Sequence, residues 1–180
     1  MIEHKIIFTG TTGAGKTTAI AAVSEITPLN TDVRNTDPEV AKAMTTTGLD
    51  YGELTLGQNE KLRLYGTPGQ QRFDFMWRVL ARGALGLVIL IDNSQKEPLA
   101  DLDTYLTGFA PLIEGGACVI GVGRLETHAT PNLEAYAQHL EKRKVLCPVI
   151  DIDVRDASQV IQLLELMLLQ LESKSGAPAP

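Results

Sequence analysis

Apolar runs and helically spaced stripes alternate along the chain. Residues 4–9 are β-branched or aromatic at most positions and read as a strand; residues 18–23 read as a helix that stops near Pro28. Residues 28–46 are polar and turn-rich, with room for a helical turn over 39–44, and a loop of that length in a small domain is usually functional. Residues 49–56 alternate loosely, Gly57-Gln58-Asn59 turns, and residues 60–65 alternate cleanly. That pattern predicts an antiparallel hairpin with one arm at a sheet edge. A turn-rich loop over 66–73 leads into a helix through Leu80. Residues 84–91 are apolar throughout and end on Asp92, as expected of a central parallel strand covered on both faces.

The remaining pattern repeats this logic. Pro98 opens a helix with Leu99, Leu102, Leu106 and Phe109 on one stripe, and residues 117–122 form another buried strand. Thr130 and Pro131 read as N-cap and first position of a helix carrying Leu133, Tyr136, Ala137 and Leu140. Residues 144–150 predict the last strand, and Asp156 with Gln159 resembles a capping box before the final helix. The order β-α-β-β-α-β-α-β-α-β-α predicts a three-layer α/β/α fold: a six-stranded, mostly parallel sheet with one antiparallel edge strand and five helices. No repeat breaks it, so the expectation is one domain over 1–173 and a flexible tail over 174–180.

Chemistry concentrates after the first strand. Gly10-Thr11-Thr12-Gly13-Ala14-Gly15-Lys16-Thr17 fits G-x-x-x-x-G-K-[ST], the phosphate-binding P-loop, in its required strand–turn–helix context. Glycines let the backbone curl its N–H groups around an anion, and the helix N-terminus adds its dipole there. Thr12, Gly13, Ala14, Gly15, Lys16, Thr17 and Thr18 are the expected phosphate contacts. Lys16 brings a full charge to the β- and γ-phosphates, and the Thr17 hydroxyl is placed to ligate Mg²⁺.

Composition narrows the partners. The 180 residues carry 16 basic and 22 acidic side chains, a net charge of −6, which argues against a broad nucleic-acid footprint or a polybasic membrane patch. Phosphate binding then has to come from a local site. Cys118 and Cys147 lie in apolar runs and read as free thiols. The apolar run 84–91 is too short to span a bilayer, Ile2 excludes a myristoyl site, and the final residues are no prenylation box. The expected location is cytoplasmic, with no direct membrane anchor.

With those motifs in place, the chain resembles a Ras-like small GTPase nearly end to end. Residues 46–51, Thr-Thr-Gly-Leu-Asp-Tyr, are similar to the end of the first switch, which gives Thr46, or alternatively Thr45, the Thr that closes on Mg²⁺ and the γ-phosphate. Gly66-Thr67-Pro68-Gly69-Gln70 is similar to the second switch, usually Asp-x-x-Gly-Gln. By that match the Gly69 N–H meets the γ-phosphate and Gln70 orients the attacking water, with Lys16 assisting catalysis. The resemblance implies GTP/GDP and Mg²⁺ as ligands, switch loops near 28–50 and 66–80, and slow hydrolysis assisted by a regulator.

Two positions depart from the family. Gly66 stands where an Asp normally holds a Mg²⁺-bound water, so metal binding weakens or another acid compensates; Asp92 is one candidate, or else a strand-terminal turn residue. In place of Asn-Lys-x-Asp the chain has Gly123-Arg124-Leu125-Glu126. Glu126 can still accept from the guanine edge and Arg124 can pack over the base. The last base-contacting loop resembles Asp153-Val154-Arg155, with the Val154 N–H toward the base carbonyl. Gly66–Gln70 with Arg72, Phe73 and Arg82-Gly83-Ala84 is most similar to the prokaryotic gliding-motility (Mgl-type) branch, which implies a Roadblock/LC7-type regulator. Phe73, Phe75, Met76 and Trp77 cannot all face inward from one helix, so some are expected on a binding surface. Arg34, Arg72 and Arg78 could each supply a cation to the transition state, and His4, His128 and His139 read as surface residues. A degenerate GTPase serving as a nucleotide-dependent binding module, and an ATP-using P-loop NTPase or kinase built on Asp92, are the alternative readings.

Overall fold

The computed structural model describes residues 2–30, 49–69 and 74–175. Its centre is β1 (Ile2–Gly10), flanked by β4 (Glu60–Gly66) and β5 (Ala84–Asp92), both parallel to it. Beyond β5 lie β6 (Ala117–Gly123) and β7 (Val149–Asp151), also parallel. Beyond β4, β3 (Asp50–Leu56) runs antiparallel, and the two-residue β2 (Leu29–Asn30) pairs with it at the edge. The order is β2-β3-β4-β1-β5-β6-β7.

The apolar runs are explained by burial on both faces. Along β1 and β5, alternate residues point to opposite sides. Ile6, Phe8, Val88 and Leu90 face a layer formed with α1 (Lys16–Val23) and α6 (Ala157–Ser175), where Ile20, Leu163 and Met167 are fully buried. Ile7, Leu87, Ile89 and Ile91 face the other layer, with Leu102, Tyr105 and Tyr136. This second layer is carried by α2 (Asp74–Ala81), α3 (Pro98–Gly108), α4 (Ala110–Gly115) and α5 (Leu133–Lys142). Each such Ile or Leu contributes on the order of 1.5–3 kcal/mol by burial.

The expected architecture holds, with local differences that have local causes. Among the described residues six helices form rather than five, because the helix opening at Pro98 breaks at Phe109 (φ −110°, ψ 16°) and restarts with Pro111 in its first turn. Proline cannot donate into a continuing helix. The first helix ends at Val23 rather than near Pro28: the Ser24 hydroxyl donates to the Ile26 carbonyl and accepts from the Glu53 amide, which turns the chain away. The cap of α5 is Asn132, whose side chain accepts from the Ala135 N–H, and not Thr130. The last strand begins at Val149, so Cys147 lies before it; both cysteines are free thiols. Helix α6 runs on to Ser175, past the point where the tail was expected to begin. Among the described residues, no helix is long and apolar enough to cross a membrane.

This topology gathers one set of ends. The parallel strands finish at Gly10, Gly66, Asp92, Gly123 and Asp151 on the same edge, and antiparallel β3 begins there, at Asp50. Ligands of such sheets sit at that edge. Gly10 marks how tightly it is built: φ is +145°, and a Cβ there would lie 2.1 Å from the Leu90 carbonyl oxygen of the neighbouring strand. Backbone cannot yield as a side-chain tip can. Gly10→Ala is therefore expected to destabilise the fold by about 3 kcal/mol or more, read as a shift of the urea midpoint at unchanged slope.

Candidate functional site

Two hollows meet along this edge. The first, of about 330 Å³, lies over the P-loop and is lined by Thr12, Lys16, Thr17, Asp50, Thr67 and Gly69 among others. The second, of about 500 Å³, includes Ala14, Asp92, Arg124, Glu126, Asp153 and Val154 in its wall. Gly13, Gly15 and Thr18 belong to both. Every described residue expected at the nucleotide thus lines one half or the other. Thr46 and Gln70, with Arg34, Arg72 and Phe73, lie outside the described residues.

The first half has the geometry of an anion cradle. Gly13 (φ +84°) and Gly15 (φ +95°) take left-handed backbone, and Gly15 caps α1 without any side-chain cap. The amides of the first helical turn therefore face the hollow with no side-chain cap in the way. At Gly15 a Cβ would also stand 2.6 Å from Val154 Cγ2, so the P-loop packs directly on the loop after β7. Lys16 is 8% exposed, and its ammonium donates to the Gly10 and Thr11 carbonyls at 2.7 and 2.8 Å. Burial pulls its pKa down to about 8, while the Asp50 carboxylate works in the opposite direction. Two of its three donors are satisfied among the described residues, which leaves one for an oxygen of a ligand.

Residues 67–69 close this half. The Thr67 amide donates to the Phe8 carbonyl at 2.8 Å, and the Thr9 and Thr67 hydroxyls are 2.8 Å apart. Tyr105 OH donates to the Gly69 carbonyl at 3.2 Å. A Cβ on Gly69 would stand 2.4 Å from the Thr12 amide nitrogen, so only glycine lets this loop approach the P-loop so closely.

Asp50 is the residue the sequence reading missed. It is buried, and its Oδ2 accepts from the Thr17 hydroxyl at 2.6 Å. No motif marks it, but the hairpin does: six residues back from Leu56 and six forward from Glu60, Asp50 faces Gly66 in the ladder. Counting from the turn would have found it. The fit to a hard divalent cation rests on this hydroxyl–carboxylate pair. Among the described residues no cluster of three or more His, Cys, Asp or Glu is present, so phosphate oxygens and water would supply the remaining ligands.

Asp92 belongs to the other half. Burial opposes its charge, but hydrogen bonds from Ser94 and Gln95, with the Arg124 guanidinium at 2.9 Å, hold its carboxyl below the usual range. It is the strand-terminal turn residue, and Asp50, not Asp92, stands at Thr17. Arg124 takes left-handed backbone (φ +67°) and also donates to the Ser94 hydroxyl, so it is fastened to the end of β5 in the wall of the second hollow. Its carbonyl accepts from the Thr127 and His128 amides, and Glu126 is carried exposed on this turn. Beside it, Arg155 chelates Asp153 and pulls that carboxyl down to about 2.

Asn93, also unmarked in sequence, ties the base loop down. It is 2% exposed; its amide group donates to the His128 and Pro131 carbonyls, and its oxygen accepts from Tyr136 OH at 2.6 Å. At Gly123 a Cβ would meet only ordinary contacts, so space does not exclude a side chain there.

Comparison with known proteins agrees with this geometry. The chain is 22% identical over 178 residues to the Ras-related protein RabC of Dictyostelium discoideum, covering 96% of this chain and 85% of that protein. It is 33% identical over 105 residues to the Ras-related protein Rab-18 of Lymnaea stagnalis, 57% of this chain and 46% of that one. Over 93 residues it is 31% identical to an uncharacterized protein, MJ1339, of Methanocaldococcus jannaschii, 52% and 53% of the two chains. Against Rab-18 and the archaeal protein the chain spans about half their length. No protein-family model matches it. At low identity, these likenesses support a place in the Ras-like small GTPase superfamily.

Replacing Asn93 by Ala strands the Tyr136 hydroxyl and frees two loop carbonyls. We expect a loss of about 2 kcal/mol in unfolding free energy, with faster amide exchange at Thr127 and His128 than at a distant control such as Val119.

Proposed function

We propose that the chain is a GTP-binding molecular switch that hydrolyses GTP slowly, and that its two halves hold the triphosphate and the guanine. The observation that carries this is the buried Lys16 ammonium held over a left-handed glycine loop at a helix N-terminus. The same hollow includes Gly69, which Gln70 follows in sequence. In this reading Lys16 and the loop amides neutralise charge on the phosphates. Thr17 and Thr46 are the expected protein ligands of a Mg²⁺ ion, which would supply charge neutralisation at the phosphates. The Gly69 amide detects the last phosphate, and Gln70 positions the water that attacks it.

In the base half, Glu126 accepts from the guanine edge, Arg124 covers the ring and Val154 presents its amide to the base carbonyl. Arg124 is already clamped by Asp92 and Ser94, so its ordering cost is met before ligand arrives. The segments near 28–50 and 66–80 present the effector surface. Helix α2 supports that: Trp77 is buried against Tyr105 and Phe109, while Phe75 and Val79, one turn apart, are about 60% exposed. An apolar pair on an exposed helix beside a phosphate sensor suits a protein regulator, in the Mgl-type branch one of Roadblock/LC7 type. We read the chain as that branch on Gly66–Gln70 and Arg82-Gly83-Ala84, and as cytoplasmic.

Calorimetric titration with GDP and ADP tests the reading. GDP is expected to bind at least about tenfold more tightly. Lys16→Ala should abolish binding, and Gln70→Leu should retain GTP while losing turnover. An adenine preference would contradict it, and guanine binding without turnover, even with a cognate regulator, would favour the binding module instead.

The Lys16 pKa adds a pH signature. In the empty protein the folded value lies near 8, below its ordinary 10.5. The charged form is thus disfavoured by folding, a penalty present below pH 8 and relieved as pH rises toward the unfolded value. A bound phosphate needs the charged form. GDP affinity is therefore expected to stay level up to pH 8 and then to fall, approaching about tenfold per unit. Lys16→Arg, which cannot deprotonate, should lack that decline. Parallel profiles for the two proteins would contradict the assignment.

A further inference from the structure

We infer that a third hollow, at the end of the strands away from the phosphate loop, is a binding site for a small amphipathic carboxylate: an acyl chain with an acidic head.

This hollow measures about 560 Å³ and lies between the last turn of α2, the start of β5, the α3–α4 junction and the end of α6. That size falls within the range of small-ligand pockets. Its walls are mostly apolar, with Leu85, Phe109, Leu112 and Leu171 among them. The α2 wall is seated before any ligand arrives. Trp77 is buried against Tyr105 and Phe109, with ring centroids 5.1 and 5.3 Å apart, and a Cβ on Gly108 would stand 2.7 Å from the indole. Ala84 opens β5 at this hollow, and Asp92 closes the same strand at the base hollow, about 25 Å further on.

Two features give the hollow a purpose. The first is that it is left open. At Gly116 packing demands glycine, because a Cβ would stand 2.8 Å from the Leu85 carbonyl oxygen. At Gly115, which also lines the hollow, a Cβ would meet nothing within 4 Å, on backbone that any residue adopts. A larger apolar side chain there would fill empty space without strain, and unfilled apolar space costs stability.

The second is one-sided charge. The chain carries a net charge of −6, yet the lining holds Arg78 and Arg82 and no acidic residue. Among the described residues the arginine ion pairs are those of Arg63, Arg124, Arg143 and Arg155, so neither lining guanidinium is neutralised there. Two lysines add to the positive field while occupying backbone acceptors of the wall: Lys5 Nζ donates to the Arg82 carbonyl at 3.2 Å, and Lys174 Nζ to the Gly116 carbonyl. An apolar cavity rimmed by cations suits a molecule with one apolar end and one anionic end. The guanidinium fork matches the two oxygens of a carboxylate.

The test titrates decanoate, below its micellar concentration, into the full chain. Binding is followed by calorimetry and by the fluorescence of Trp77, the one tryptophan of the chain. We expect one saturable site per chain, with affinity rising about fourfold per added methylene from hexanoate to decanoate. Decanol, with the same chain and no charge, should bind about tenfold more weakly. Saturating inorganic tripolyphosphate should leave the decanoate Kd unchanged. Gly115→Leu should lose decanoate binding and melt no lower than the parent. Arg78→Gln with Arg82→Gln, both exposed positions, should bind decanoate as weakly as decanol.

No saturable site for any acid of the series overturns the inference, as does parent-like binding by a folded Gly115→Leu protein. If that variant melts well below the parent, the open space at Gly115 is disproved and the arginine pair decides. Decanol binding as tightly as decanoate, or decanoate binding unaffected by loss of both arginines, overturns the carboxylate assignment. Displacement by tripolyphosphate puts the acid in the phosphate hollow instead. Binding to vesicles that contain the acid, with none to free decanoate, makes this face a lipid-surface contact and overturns the small-ligand site.

Discussion

A buried ammonium group has to be held by something. In this chain Lys16 lies almost wholly out of water, and the loop that buries it supplies two of its own carbonyls as partners. That interaction fixes the rest of the edge. It requires Gly10, Gly13 and Gly15 in backbone conformations that side chains disfavour, which in turn lets Leu90 pack against Gly10 and Val154 against Gly15. The same curl that satisfies the lysine turns amides inward and sets the first turn of α1 over the hollow. Binding site and fold are therefore one construction: what would hold a phosphate also fastens β1, β5 and the β7–α6 loop together.

The base half is organised by a second buried group, and by charge rather than by an anion cradle. Asp92 collects Ser94, Gln95 and Arg124, and Asn93 next to it collects the far side of the 123–131 loop. Two consecutive residues at the end of β5 thus position both the cation expected over the base and the loop that carries Glu126. Gly123 has no side chain with which to fasten this loop, and Asn93 fastens it; the planar Arg124 guanidinium finds the Asp92 carboxylate to lie against.

How much of this was legible in the chain varied with how local the cause is. Strands buried on both faces announce themselves as unbroken apolar runs, so residues 84–92 and 117–123 were readable. The phosphate loop was readable because its glycine and lysine spacing is set within eight residues. The helix break at Phe109 was hidden because its apolar stripe continues across it, and the α5 cap was displaced from Thr130 to Asn132 by competition between neighbouring cap formers. Asp50 and Asn93 were not readable, for one reason: each acts on a residue far away in sequence, across a strand pair or between loops, whereas Asp92 was readable as a strand-terminal turn residue. Thr17 and Asp50 are 33 positions apart, and Asn93 and Tyr136 are 43 apart. Only the Asp50–Gly66 register could have been counted, from the hairpin turn between them.

The central claim is that main-chain amides of the P-loop, together with one ammonium, grip a nucleotide's phosphates. The most direct measurement is an amide-resolved nuclear magnetic resonance titration of the full chain with GDP and Mg²⁺. The account predicts that the amides of residues 13–18 move strongly downfield, saturating at one nucleotide per chain, while those at the opposite edge of the sheet stay still. Saturable binding that left residues 13–18 unmoved and shifted another surface would contradict it.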